Sequence, residues 1–257
     1  MPYNPARRCV QRRDGYYLGR ADYGQLVRNL GSAGVAAQFL DVIFAAPESD
    51  EGDRRLAQAV SEAGDVFVGM AVGASDREAE APPVPPSPAH AEILDRQRWT
   101  GLQVLGGTDR LLRAHRYFMT FPGISGAARG TGHIDLIPDR DGVIRRVPLL
   151  VRDGDGFLPS MHLLVISSFL GVEQDGIRLE PGRLTLAGAR RPGQSDPRDI
   201  AIPINERGEM IVNFIGAFGS VETYPFSAVY TASDDRFMME DLREELSDRI
   251  AIVTWFS

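Results

Sequence analysis

Four places in the chain carry side chains whose type and setting could do chemistry. Asp41 sits inside the apolar run VAAQFLDVIF, Val35 to Phe44. A bare carboxylate is costly to bury there, so Asp41 either caps a neighbouring element or lines a crevice at the strand ends, where open α/β sheets take ligands. His133 follows the Gly-rich stretch PGISGAARGTG and opens a strand. A histidine so placed is either wet or bonded to backbone, with a role in a ligand pocket as the other reading. Arg145 and Arg146 are neighbours on one strand, which predicts that they point to opposite faces. The inward one needs a carboxylate, and both structural pairing and anion binding use that chemistry. Finally, Asp139-Arg140-Asp141-Gly142 has the opening of a calcium loop, but the later oxygen ligands and the closing Glu are missing, so a hairpin turn fits it better. The ligand-binding candidates are therefore Asp41, His133 and Arg146. No catalytic residue, metal ligand or cofactor is predicted.

The signatures that usually announce catalysis are absent: no GxGxxG after a strand, no phosphate loop, no HExxH, no GxSxG, and no Cys and His set at metal spacing. All cations are Arg, with no Lys, which removes Lys as a Schiff-base or phosphate-loop residue. A net charge of -7 argues against a nucleic-acid partner, which calls for a positive surface. Cys9 is the single cysteine, so no internal disulfide can form. The longest mostly apolar run, Met161 to Val172, is too short to cross a bilayer, and the basic start MPYNPARRCVQRRDGYYLGR lacks the apolar core of a secretory signal.

The elements that must position these residues follow from periodicity. Tyr23, Leu26, Val27 and Leu30 recur at helical spacing, with Asp22 as the predicted N-cap and Gly31 and Gly34 as stops. Val35 to Phe44 reads as a buried strand, a second helix runs from about Asp53 to Gly64, and Val66 to Val72 is the next strand. This alternation implies a parallel sheet. Five prolines between Pro82 and Pro88 then forbid helix and sheet, and the segment from about Ala74 to Ala89 reads as an exposed, mobile insertion rather than a domain boundary. HRYFMTF is a strand leading into the Gly-rich turn. HIDLI, the turn PDRDG, VIRRVPLLV and the turn RDGDG read as an antiparallel meander from His133 to Val151, with Asp-Gly pairs at both turns. Pro159 suits the first turn of a helix through MHLLVISSFL. Short strands follow in GIRLEPGRLTL, IAIPINERG and EMIVNFIG. DDRFMMEDLREELSD is an amphipathic helix with Phe237, Met238, Leu242 and Leu246 as its stripe, feeding a buried strand RIAIV. The fold class is α/β: one three-layer domain with a mixed sheet, parallel in the first half and antiparallel in the second.

Two long segments carry a family resemblance. RADYGQLVRNLGSAGVAAQFLDVIFAAPESDEGDRRLAQAVSEAGDVFVG resembles the helix, "fDvlFaepd" strand, helix and strand of the CHASE2 family of bacterial extracytoplasmic sensory domains. GHIDLIPDRDGVIRRVPLLVRDGDGFLPSMHLL resembles that family's "pD.DGv.Rr.pl" hairpin and following helix, and IPINERGEMIVNFIG, YPFSAVY and RIAIV resemble its closing section. The resemblance covers about Gly15 to Val253, leaving residues 1–14 as an extension. It implies a non-catalytic input module on the extracytoplasmic face of the bacterial cytoplasmic membrane, recognising a small-molecule or protein signal. In such receptors the output cyclase or kinase lies on the same chain, beyond transmembrane helices, none of which is present in this sequence. The strand of the "aiDd.S" type that the family places first is also missing, and TWFS replaces the glycine and small residues after RIAIV, so the resemblance implies a fragment or an isolated paralogue with an unfilled sheet edge.

Three functions compete on the residues alone: a sensory domain that shifts between packings of its core, a structural or homodimerising module without ligand, and an α/β enzyme with an unrecognised site at the carboxyl ends of the strands that uses Asp41.

Overall fold

The computed structural model describes residues 18–75, 85–194, 196–217 and 219–254. Helix α1 (Arg20–Ser32) places Tyr23, Leu26, Val27 and Leu30 on one buried stripe. Its N-cap is Gly19 rather than Asp22. Asp22 instead sits one turn in, and its Oδ2 accepts the Gly19 N–H at 3.0 Å, the reciprocal half of a capping box. Strand β1 (Ala37–Leu40) is shorter than the apolar run around it, because the chain leaves the sheet at Asp41. Helix α2 (Asp50–Ala63) starts three residues earlier than its apolar pattern, since the Ser49 hydroxyl accepts the Gly52 N–H at 3.1 Å, and it ends at Gly64 with φ of 70°. Strand β2 (Val66–Ala71) follows.

Helix α3 (Pro88–Gln97) begins inside the proline tract. Pro88 takes the first helical position, where its missing N–H costs nothing, and Ser87 caps it. The rest of that tract, residues 76–84, lies outside the described residues, so the predicted mobility falls largely there. Strands β3 (Gln103–Val104) and β4 (Phe118–Met119), helix α4 (Pro122–Ser125) and strand β5 (Gly130–His133) come next.

One five-stranded sheet forms the centre. β1 lies parallel between β2 and β13 (Ile250–Val253), and β5 runs parallel along the other side of β2. Met70 faces His133 of β5 on one side and Met119 of antiparallel β4 on the other, so β4 takes the edge of β2 that β1 has left. Strands from both sides of the proline tract therefore share one sheet and one α/β domain. Helix α5 (Met161–Phe169) covers one face, with Met161 and Leu164 in the cluster of Phe39 and Phe67. α1 and α2 cover the other with Tyr23, Leu56 and Val60 against Leu40 and Val68. α6 (Phe226–Tyr230) and α7 (Arg236–Leu246) extend that layer over Leu26 and Leu30. The outer pieces are β6 (Arg146–Pro148) paired with β12 (Glu209–Ile211), the hairpin of β7 (Leu150–Asp153) and β8 (Gly156–Pro159), and a second sheet of β9 (Ile177–Glu180), β10 (Arg183–Ala189), β11 (Arg198–Pro203) and β3.

Several expectations are corrected. The antiparallel meander from His133 to Val151 does not form as one unit: β5 is parallel to β2, β6 pairs with β12, and only β7 and β8 make a hairpin, turning at Gly154 with φ of 58°. The Gly-rich stretch is a one-turn helix and a buried strand of the central sheet. Gly130 and Gly132 are required there because α5 crosses so closely that a Cβ on Gly132 would lie 2.7 Å from the Met161 N and Cα. Of HRYFMTF only Phe118 and Met119 are strand. Pro159 ends β8, and Ser160 caps α5 through the Leu163 N–H at 3.1 Å. In α7 the buried stripe is Met239, Leu242 and Leu246, with Phe237 75% exposed. β13 is an edge strand with Ile252 exposed, not a fully buried one.

Candidate functional site

The carboxyl ends of β1, β2, β5 and β13 gather two of the three ligand-binding candidates read from the sequence, Asp41 and His133. Asp41 is the first residue past β1. Its N–H donates to Val253 O at 2.8 Å and its Oδ2 accepts the Thr254 hydroxyl at 3.1 Å. The alternation of a strand puts Asp41 on the face of Phe39, whose ring meets His162 edge-on at 5.9 Å, and the Asp41 carboxylate lies within electrostatic reach of His162. Asp41 is thus half-buried and bonded to the adjoining strand.

His133 closes β5 and is wholly buried, with neither ring nitrogen holding a hydrogen-bond partner. It is neither wet nor bonded to backbone as predicted, because it ends a strand of the central sheet whose four residues are all buried instead of opening an outer hairpin. Burial pushes its imidazole down to about 4, Asp135 pulls it back up and His162 lowers it further. His133 is therefore neutral at ordinary pH. Two residues on, the Asp135 carboxylate accepts the Val72 N–H at 2.8 Å and the Ala74 N–H at 3.0 Å, so it clips the exit of β2.

Arg146 is elsewhere, on β6. It reaches Asp139 at 3.1 Å, and Arg145 reaches the same carboxylate at 3.0 Å while holding Asp141 through two bonds of 2.9 and 2.8 Å. The two arginines converge instead of diverging, since Arg145 precedes β6 and escapes the strand alternation. The Arg145 guanidinium, joined by the Val143 N–H, holds the Asp141 carboxyl below its ordinary value. Both acids of the DRDG turn thus face arginine. The structure brings Asp41 and His133 to one end of the sheet and leaves Arg146 outside it. Among the described residues no group of three or more His, Cys, Asp or Glu could hold a metal ion.

A cleft of about 200 Å³ opens at the opposite end, between α3 and α5. Phe67, Trp99 and Leu164 form its apolar floor. Trp99 is fixed there by a reciprocal backbone pair with Phe157, at 2.8 and 3.0 Å. Arg129, immediately before β5, is set by its N–H to Val66 O at 2.8 Å, and Arg96 stands on the last turn of α3. Both are exposed at the rim and neither forms an ion pair with a described residue; Arg129 acts through space on Asp65. The Gln97 Oε1 accepts the Thr131 N–H at 3.2 Å, and the Gln174 Oε1 accepts those of Thr100 and Gly101 at 3.1 and 3.0 Å. Each amide oxygen is engaged, which leaves the amide nitrogens of these two lining residues as donors. Glu173 supplies the one carboxylate of the lining. None of these residues was singled out by sequence. The signal available was the spacing of Gly130 and Gly132 by two, which marks a strand under a helix and puts Arg129 at its mouth.

A family model described as the CHASE2 domain matches residues 8–255, nearly the whole chain. The chain belongs to the CHASE2 family. This is a family of extracellular sensory domains, and the mixed α/β architecture agrees with the fold that the sequence resemblance implies. No curated protein and no solved structure matches the chain. No helix among the described residues is long and apolar enough to cross a membrane.

Proposed function

We propose that this domain is the non-catalytic input module of a bacterial receptor. It recognises a small-molecule or protein signal outside the cytoplasmic membrane and passes a conformational bias to a membrane-linked cyclase or kinase. The observation that carries this reading is the CHASE2 match along residues 8–255. The chemistry of the sheet ends supports it. At the carboxyl end, where an α/β enzyme would assemble its acid, base and nucleophile, Asp41 and Asp135 already accept hydrogen bonds from the chain, and His133 is sealed from solvent. A signal acts on such a module by binding one packing of its elements more tightly than another. The domain unit in this reading runs from about Gly15 to Val253.

The test is a chimera in which this domain replaces the CHASE2 domain of a membrane-bound receptor cyclase. Nucleotide production that changes on addition of a periplasmic extract, and stops changing when this domain is deleted, is the expected result. Output indifferent to the presence of the domain overturns the reading. Turnover of any compound in that extract by the purified chain would favour the enzyme reading instead.

A further inference from the structure

The geometry points to the cleft between α3 and α5 as a binding site for a small organic acid, held by its carboxylate between Arg96 and Arg129. The inference rests on the sensory reading above and names the class of signal that the same domain takes.

Three features of the cleft select that ligand. The first is charge. Acidic side chains outnumber basic ones in this chain, 35 to 28, so an arginine has carboxylates to choose from. Arg20, Arg98 and Arg145 each hold two, and Arg183 holds one. Arg96 and Arg129 line the same cavity and hold none by direct contact among the described residues. A guanidinium presents a planar fork of donors that fits a carboxylate by two parallel bonds.

The second is the sense of the remaining hydrogen bonds. The amide nitrogens of Gln97 and Gln174 add donors, because their oxygens are already taken by backbone N–H groups. Glu173 is the single anionic acceptor. A ligand that complements this set offers more acceptors than donors, as hydroxy acids, dicarboxylic acids and acidic amino acids do.

The third is size. A cavity of about 150 Å³ holds benzene, so 200 Å³ admits a short carbon skeleton of roughly eight non-hydrogen atoms. Phe67, Trp99 and Leu164 beneath give that skeleton an apolar bed. Nucleotides and peptides are too large. Because Arg96 belongs to α3, Arg129 to the start of β5, and Glu173 and Gln174 to the turn after α5, an acid seated here ties three elements together. That is the differential contact a population shift requires.

The test uses the purified chain at low salt, with succinate, L-malate, L-glutamate and inorganic phosphate as probes, followed by melting temperature and titration calorimetry. At least one of the three organic acids should raise the melting temperature by about 2–4 °C near saturation. Its affinity should fall by about tenfold or more in both Arg96→Ala and Arg129→Ala. Arg110→Ala, which removes a surface cation paired with Glu206 far along the chain, should bind as the parent does. The proposal is overturned if no organic acid binds, if binding ignores both arginines, or if phosphate alone binds through them. Should the chimera respond to a signal while no acid binds, the sensory reading stands and this site falls. Should the acid bind through Arg96 and Arg129 while chimera output ignores the domain, the site stands and the sensory reading falls.

Discussion

The two ends of the central sheet are built from the same kinds of side chain and treat them differently. At the carboxyl end Asp41 is bonded to Thr254, Asp135 to two backbone N–H groups, and His133 is enclosed. At the amino end the polar groups converge on a cavity, and its two guanidiniums have no direct carboxylate partner among the described residues. In a parallel sheet the carboxyl end is the usual place for a ligand. Here that end is closed by internal bonds, and the opening lies where α3 and α5 fail to meet. The contrast teaches that a site is located by polar groups left without partners, and fold class alone gives only the place to look first.

The largest test of this contrast is at the closed end. Gly132→Val drives a branched side chain into the backbone of Met161, and the α5 to β5 approach cannot widen without opening the core. A loss of about 3 kcal/mol or more, or failure to fold, is expected from chemical denaturation. A mild effect would mean that α5 is loosely held and that the closed end can open.

Acid should open the same end. The folded-state pKa of His133, about 4, is below its ordinary value of 6.5, so the folded state resists taking up the proton that the unfolded chain accepts. This contribution to stability is intact above about pH 6.5, falls as pH drops from there to about 4, and levels off below, for a total near 3 kcal/mol. Comparing urea midpoints of the parent and His133→Leu across that window checks it. Equal slopes with pH in the two proteins would remove His133 as the cause.

A smaller loss, about 2 kcal/mol, is expected from Asp135→Ala, which orphans the Val72 and Ala74 N–H groups. Hydrogen exchange at those two amides should rise well above that at Val68, and equal protection would show that the clip is dispensable.

The smallest effects belong at the open end. Arg96→Ala and Arg129→Ala, without ligand, should shift stability by no more than about 0.5 kcal/mol. A larger loss would show that these arginines are structural and would erase the contrast.

How much of this was legible in the sequence follows the same division. The α1, β1, α2, β2 alternation was readable because its periods are unbroken and Gly34 and Gly64 mark the stops. The strands from Ile177 to Pro203 were readable from their turns. The stretch from Pro122 to His133 was not, because a buried strand of Gly, Thr, Gly and His has no apolar pattern; its glycines record the nearness of α5, which is tertiary information. Of the site residues, Asp41 stood out as a charge in an apolar run, and it proved to be bonded to the adjoining strand. Arg96 and Arg129 gave no signal, since an arginine without a partner looks like any other until its neighbours in space are known.

The position of β13 bears on how the protein is made. Ala37 pairs with Ile250, and the Asn29 amide donates to Val229 O and Tyr230 O at 2.8 and 2.9 Å. Strand β1 therefore waits for one of its two neighbours until nearly all of the described chain has been translated, roughly 10–40 seconds at ordinary elongation rates. During that interval the outer edge of β1 is an open ladder of N–H and C=O groups beside apolar Phe39 and Leu40. A nascent chain in that state is a natural client for chaperones, and slowing translation near its end should lower the soluble yield more than slowing it near its start.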